Sequence, residues 1–183
     1  MSTIQLNSKD FASQTSSAEP VLASTVTGGA GLTRYVAVIG DVKAYNEEGG
    51  TAVATTWTPR VLSTEIKDDD SIVSLTTGDN SFTLVAGTFF IEWHAPFFKT
   101  QRTTTRLYDL TGTSPIAFGS ATYAYTTHDI GISYGAFIVT IGSPNAYRID
   151  YYATNGMADE GLGLAHDVSS TSSIYTMVYI HKI

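Results

Sequence analysis

No cysteine occurs among the 183 residues, which excludes both a disulfide framework and any thiolate metal site. Charge is scarce as well. Asp, Glu, Lys and Arg make up 15% of the chain, against about 25% in ordinary globular domains. Surface that normally carries Lys and Glu is thus left to face another protein. The scarcer charge is the positive one, 10 basic residues against 17 acidic for a net charge of −7. The ten are scattered singly, with no basic stripe, so nucleic acid is not an expected partner. An acidic coat also resists adhesion to other anionic surfaces. No run of 18 apolar residues is present, so no membrane insertion by a helix is expected. Residues 1–11 lack the basic and apolar stretches of a secretory signal. The expectation is a soluble chain that does not use classical export.

Residues 1–34 differ in composition from the rest. They hold six Ser, five Thr and the glycines Gly28, Gly29 and Gly31, with Phe11 the only aromatic. Such a segment cannot bury enough apolar surface to offset the entropy of ordering itself. Short apolar clusters interrupt it: Ile4 with Leu6, and Val21 and Leu22 ahead of Val26. We read residues 1–34 as an extended N-terminal arm that orders on a partner, with Ile4, Leu6, Phe11, Val21 and Leu22 as its anchoring side chains.

From Tyr35 to the end the signal is β. Tyr35 to Ile39 form a β-rich run closed by Gly40-Asp41. Phe89, Ile91, Trp93 and Ala95 alternate with Phe90, Glu92 and His94, and Tyr147, Ile149 and Tyr151 with Arg148, Asp150 and Tyr152. Residues 174–183 continue the alternation. Turn chemistry separates the runs at Gly49-Gly50, Gly78-Asp79-Asn80, Thr111-Gly112-Thr113 and Ser143-Pro144-Asn145. Eight to ten strands at this spacing predict an antiparallel sandwich or barrel over residues 35–183. No segment has a helical period.

Two segments break the rule that a solvated sheet has one polar face. Residues 137–141 and 175–183 are apolar or aromatic on both faces. A second covered face requires a neighbouring copy, so the sequence calls for an oligomer.

Several motifs recur in order. Gly49-Gly50-Thr51 is followed by Trp57-Thr58-Pro59-Arg60-Val61-Leu62-Ser63-Thr64, then Ser81-Phe82-Thr83-Leu84-Val85-Ala86-Gly87-Thr88-Phe89. After these come Thr105-Arg106-Leu107-Tyr108-Asp109, Gly135-Ala136-Phe137-Ile138-Val139-Thr140, and Tyr179-Ile180-His181-Lys182-Ile183. Over residues 35–183 this resembles the C-terminal knob of phage tail fibres and related virion proteins, similar to the C1q/TNF-like trimeric jelly rolls. Val85 stands where that pattern has Pro, Phe89 where it has Tyr, and Ser63 and Asp109 where it has Asn. The resemblance implies an all-β antiparallel jelly-roll homotrimer. Phe137, Val139, Tyr175, Met177 and Tyr179 become the candidate trimer contacts, with the last strand near the three-fold axis.

Candidate chemistry is sparse. His94, His128, His166 and His181 lack metal-ligand spacing. Glu92 and His94 share a strand face at i,i+2 and read as a surface or interface polar pair. Asp68-Asp69-Asp70 lack the alternation of an oxygen-ligand loop and read as a solvated turn. Neither Gly29-Ala30-Gly31 nor Gly161-Leu162-Gly163 joins a strand to a helix, so neither is a phosphate loop. Tyr123, Tyr125, His128 and Tyr134 form an aromatic cluster about a loop, and residues 154–167, with Asn155-Gly156, form the longest loop. Tyr123, Tyr125, His128 and Asn155 are the candidate receptor-binding residues.

The expectation is a non-enzymatic virion surface protein without cofactor or metal. Its partners are itself, the major capsid protein or another virion protein gripped by the arm, and in the alternative a host receptor. The capsid decoration knob leads, because there is an arm but no heptad or repeat shaft. A tail-fibre or baseplate tip binding host glycan or protein is the alternative. A polysaccharide depolymerase ranks far behind, for want of paired carboxylates.

Overall fold

Period-two alternation becomes two stacked antiparallel sheets in the computed structural model, which describes residues 35–125, 129–165, 168 and 170–183. One sheet has five strands in the order β10 (Ile130–Ile141), β6 (Gly87–Phe98), β12 (Ser173–Lys182), β1 (Tyr35–Lys43) and β3 (Thr64–Asp68). The other runs β4 (Val73–Thr76), β5 (Ser81–Leu84), β11 (Asn145–Ala153), β7 (Gln101–Asp109) and β8 (Ser114–Phe118). Here β2 (Thr58–Pro59) also pairs with β11, and β9 (Thr122–Ala124) with β7. No α-helix occurs among the described residues. The anchoring residues expected in the arm, Ile4, Leu6, Phe11, Val21 and Leu22, lie outside the described residues, as does His128.

The core sits where the two alternations face each other. Phe89, Ile91 and Trp93 of β6 with Val178 and Ile180 of β12 meet Phe82, Leu107, Tyr147 and Ile149 from the second sheet. Each such side chain contributes about 1.5–3 kcal/mol on burial. A hydroxyl chain ties the sheets together. Trp93 Nε1–H donates to Thr105 Oγ1 at 2.8 Å, Thr105 Oγ1 lies 2.8 Å from Ser133 Oγ, and Ser133 Oγ–H donates to the Ser120 carbonyl at 2.6 Å. Gly135 sits opposite Trp93 on β10, where any added Cβ would overlap the indole ring.

Arg60 is the least expected core residue, a charged side chain that is fully buried. Its Nε–H donates to Thr176 Oγ1 at 2.7 Å, and a terminal N–H to the Leu162 carbonyl at 3.0 Å. The guanidinium lies 5.0 Å from the Phe97 ring centroid and 5.9 Å from that of Tyr151. It thus bridges β12 and β6 in one sheet to β11 in the other. Burial pushes its pKa down to about 10, against the pull of Asp41. Burial likewise raises the Asp41 carboxyl above its ordinary range, opposed by Lys43 at 3.7 Å and by Arg60.

One local expectation needs correction. Strand β1 does not end at Gly40-Asp41; a bulge there lets pairing with β12 resume at Val42. Residues 154–165 form a loop, as expected, but one strapped to the body. Met157 and Ala52 exchange backbone hydrogen bonds at 2.8 and 3.0 Å, Gly49 N–H reaches Gly163 O at 2.9 Å, and Leu162 is buried. The strap fits because Gly163, at φ +141°, has no side chain to collide with the Tyr175 ring. The acidic run behaves as a turn: Asp68 accepts the Ile72 and Val73 N–H groups, each at 3.0 Å.

Candidate functional site

The outer face of the five-stranded sheet is built by the alternation that fills the core. Inward residues of β10 are Gly135, Phe137 and Val139; its outward residues are Ile130, Ile132, Tyr134, Ala136 and Ile138. A monomer would leave this apolar row in water. Ile130, Tyr134 and Ile138 are 57%, 57% and 56% exposed. Single exposed apolar residues are ordinary; a contiguous row of them marks an interaction surface.

Strand register carries the row across the sheet. Tyr134 lies opposite His94, which lies opposite Met177; Ala136 lies opposite Glu92, which lies opposite Tyr179. His94 stands between two tyrosines, with ring centroids 6.2 Å from Tyr134 and 6.0 Å from Tyr179. The Tyr179 hydroxyl donates to Met177 Sδ at 3.4 Å. Glu92 faces His181, Oε2 to Nε2 at 3.6 Å, and His181 stands 6.1 Å from the Phe90 ring. Between these side chains lies a shallow depression of about 640 Å³, floored by Trp93 and Gly135. Burial first, and then the buried Arg60, hold the His94 imidazole below its ordinary value. The face is therefore aromatic and aliphatic, with a neutral imidazole at its centre.

The candidate trimer contacts divide between two environments. Met177 and Tyr179 lie on this outer face, half-buried. Tyr175 is buried beneath the Gly163 strap, its hydroxyl donating to the Glu47 carbonyl at 2.7 Å. Phe137 and Val139 point the other way and pack against the core. The parity of β10 was the missing signal: the outward set is Tyr134, Ala136 and Ile138. Glu92 and His94 do share the outer face, but the partner close to Glu92 is His181.

The expected aromatic cluster and the candidate receptor residues also separate. Tyr134, of the cluster, belongs to the face just described. Tyr123 and Tyr125 lie at the edge of the seven-stranded sheet and stack on each other, with centroids 5.9 Å apart and an interplanar angle of 23°. Asn155 is exposed across β7 from them, its N–H donating to Thr100 O at 3.2 Å.

No family model matches the sequence, and no curated protein does. Solved structures do. The chain is similar to murine APRIL, with a TM-score of 0.53 at 9% identity over 82% of this chain and 99% of that one. It is similar to Eiger TNF from S. frugiperda, at 0.52 and 9% over 82% and 92%. The globular domain of zebrafish complement 1qA protein gives 0.49 and 13% over 82% and 97%. Together with the strand order, the likenesses to APRIL and Eiger establish the expected fold: an all-β, antiparallel C1q/TNF-like jelly roll. Identity this low speaks to fold alone.

Proposed function

We propose that this chain is a non-catalytic surface module that works as a homotrimer, joined through the outer face of β10, β6 and β12. The observation that carries this is the row Ile130, Ile132, Tyr134, Ala136 and Ile138, continued by Tyr179 and Met177 across paired strands. The row is apolar, and the ionisable groups nearest it, Glu92 and His181, face each other at 3.6 Å. Interface cores have this composition, with aromatics and Met enriched and unpaired charge depleted. The number three comes from the resemblance to trimeric jelly rolls.

The same resemblance supports placing the trimer on a phage particle as a decoration knob, with residues 1–34 gripping the shell. Its support is the ordered series of motifs between Gly49 and Ile183 and the core-poor composition of the arm. The test uses two substitutions in the full chain. Ile138→Asp, on the outer face, should dissociate the trimer into folded monomers. The control is Ile66→Asp on the edge strand β3, also exposed, which should leave the trimer intact. A trimer that survives Ile138→Asp, or that fails equally with Ile66→Asp, overturns the assignment of this face.

A further inference from the structure

The two sheets present chemically different surfaces. Exposed positions on β10 are mostly aliphatic and carry no charge. On the seven-stranded sheet the exposed rings are aromatic and stand among hydroxyls and guanidinium groups. Phe118 lies opposite Arg106 on β7, and Tyr123 lies opposite Arg102. Since Arg102 and Arg106 are four residues apart on one strand face, the two rings are about 13 Å apart along the edge. Phe118, Tyr123 and Tyr125 are 63%, 56% and 60% exposed. On the far side of β7, Tyr152 and Trp57 stand with centroids 5.6 Å apart, and Trp57 is 6.1 Å from Phe118.

Between the rings lie Thr104, Arg102 and Thr154, the last joined to Arg102 by backbone N–H donations of 2.9 and 3.1 Å. The outward positions of β7 and β11 hold three arginines and one acid. Asp150, fully buried, accepts from Arg106 at 2.8 and 2.9 Å and from Arg148 at 2.6 Å. That trio keeps one net positive charge. It also fixes Arg106 beneath Trp57, with the guanidinium carbon 4.2 Å from the ring centroid. Arg102 is exposed and has no ion-pair partner among the described residues. A chain of net charge −7 therefore carries a positive, aromatic strip on this one face.

We propose that this strip binds an acidic oligosaccharide. Rings with an apolar face suit the C–H face of a pyranose, while the Thr hydroxyls suit its hydroxyl edge. Both ring types are held by two χ angles, so little entropy is lost on binding. Arg102 supplies the two-pronged donor that a carboxylate or sulfate takes. Spread over about 13 Å along the edge, the rings fit an extended chain of sugars. A protein partner would want an apolar centre with the charges at its rim, whereas here arginines stand level with the rings, Arg102 with Tyr123 and Arg106 with Phe118. Single-stranded nucleic acid also stacks on aromatics, but its affinity comes from many phosphate contacts, and three arginines on an acidic chain supply few.

The strip lies on the sheet opposite the proposed trimer face, so the two assignments stand or fall separately. The test titrates the full chain with sialyllactose, a hyaluronan hexasaccharide and hexagalacturonate, beside maltohexaose and an oligothymidylate. Trp57 fluorescence and backbone amide shifts report binding. At least one acidic saccharide should bind and shift the amides of Arg102 and Tyr123. Arg102→Ala and Tyr123→Ala should each weaken it about tenfold or more, with an unchanged melting temperature and sedimentation coefficient. Arg102→Lys should restore part of the loss. Failure of all three acidic saccharides to bind at millimolar concentration overturns the proposal. So does equal binding of maltohexaose, or tighter binding of the oligothymidylate.

Discussion

Trp93 and Gly135 show how a single residue fixes the register on which the outer face depends. The indole lies over the glycine and donates to Thr105, so β10 can pair with β6 in only one way. Gly135→Ala should destabilise the fold by about 1–3 kcal/mol, as overpacking does, read from the urea midpoint. His94 gives the second residue-scale prediction. Its folded pKa is lowered, so the unfolded chain takes up a proton that the folded chain resists. Its contribution to stability is fully present above about pH 6.5 and is lost as the pH falls through the lowered value. The urea midpoint should drop between about pH 7.5 and about pH 5, and His94→Gln should flatten that part of the profile. At this scale the sequence was legible where alternation governs, as at Phe89, Ile91 and Trp93. It was not legible at Arg60, whose burial depends on Thr176 and Leu162, more than a hundred residues away in the chain.

Strands were the most legible elements. Alternation located β6, β11 and β12 because each has one face in the core and its inward residues are Phe, Ile, Trp, Tyr and Val. Short pairings such as β2 and β9 have two and three residues, too few for a period to show. The loop of residues 154–165 was legible, but its strapping was not, since those bonds run to residues 49–52, a long-range pairing without local signature. Both faces of β10 were legible as apolar, but which side chains face out was not: Phe137 and Val139, the candidate trimer contacts, share the parity of Gly135 and pack against the core. A direct contrast follows from that parity. Ile180→Asp, at a position with no exposure, should unfold the chain, since an unpaired buried charge costs several kcal/mol. Ile138→Asp should change only assembly. Circular dichroism separates the two outcomes: lost strand signal for the first, a native spectrum for the second.

For the whole molecule, the two faces of the sandwich differ most in charge: the five-stranded sheet carries an apolar row that includes Tyr134 and Tyr179, and the seven-stranded sheet carries rings among arginines. The low charge fraction fits the proposed contact through the first, because an interface is where charge is scarce. It could not anticipate the second, since Trp57, Phe118, Tyr123 and Tyr152 converge only once β2, β7, β8, β9 and β11 lie side by side. As a decoration knob, the trimer would stabilise the assembled shell by binding only that state. Particles lacking it should release DNA at a lower temperature. Particles that keep full stability but fail to adsorb to cells would mark a receptor-binding tip instead. All of this rests on self-association, and sedimentation equilibrium of the full chain tests it most directly. The expected result is a single species of three times 19.6 kDa that persists into the low micromolar range. A species of 19.6 kDa at every concentration up to the millimolar range would contradict it.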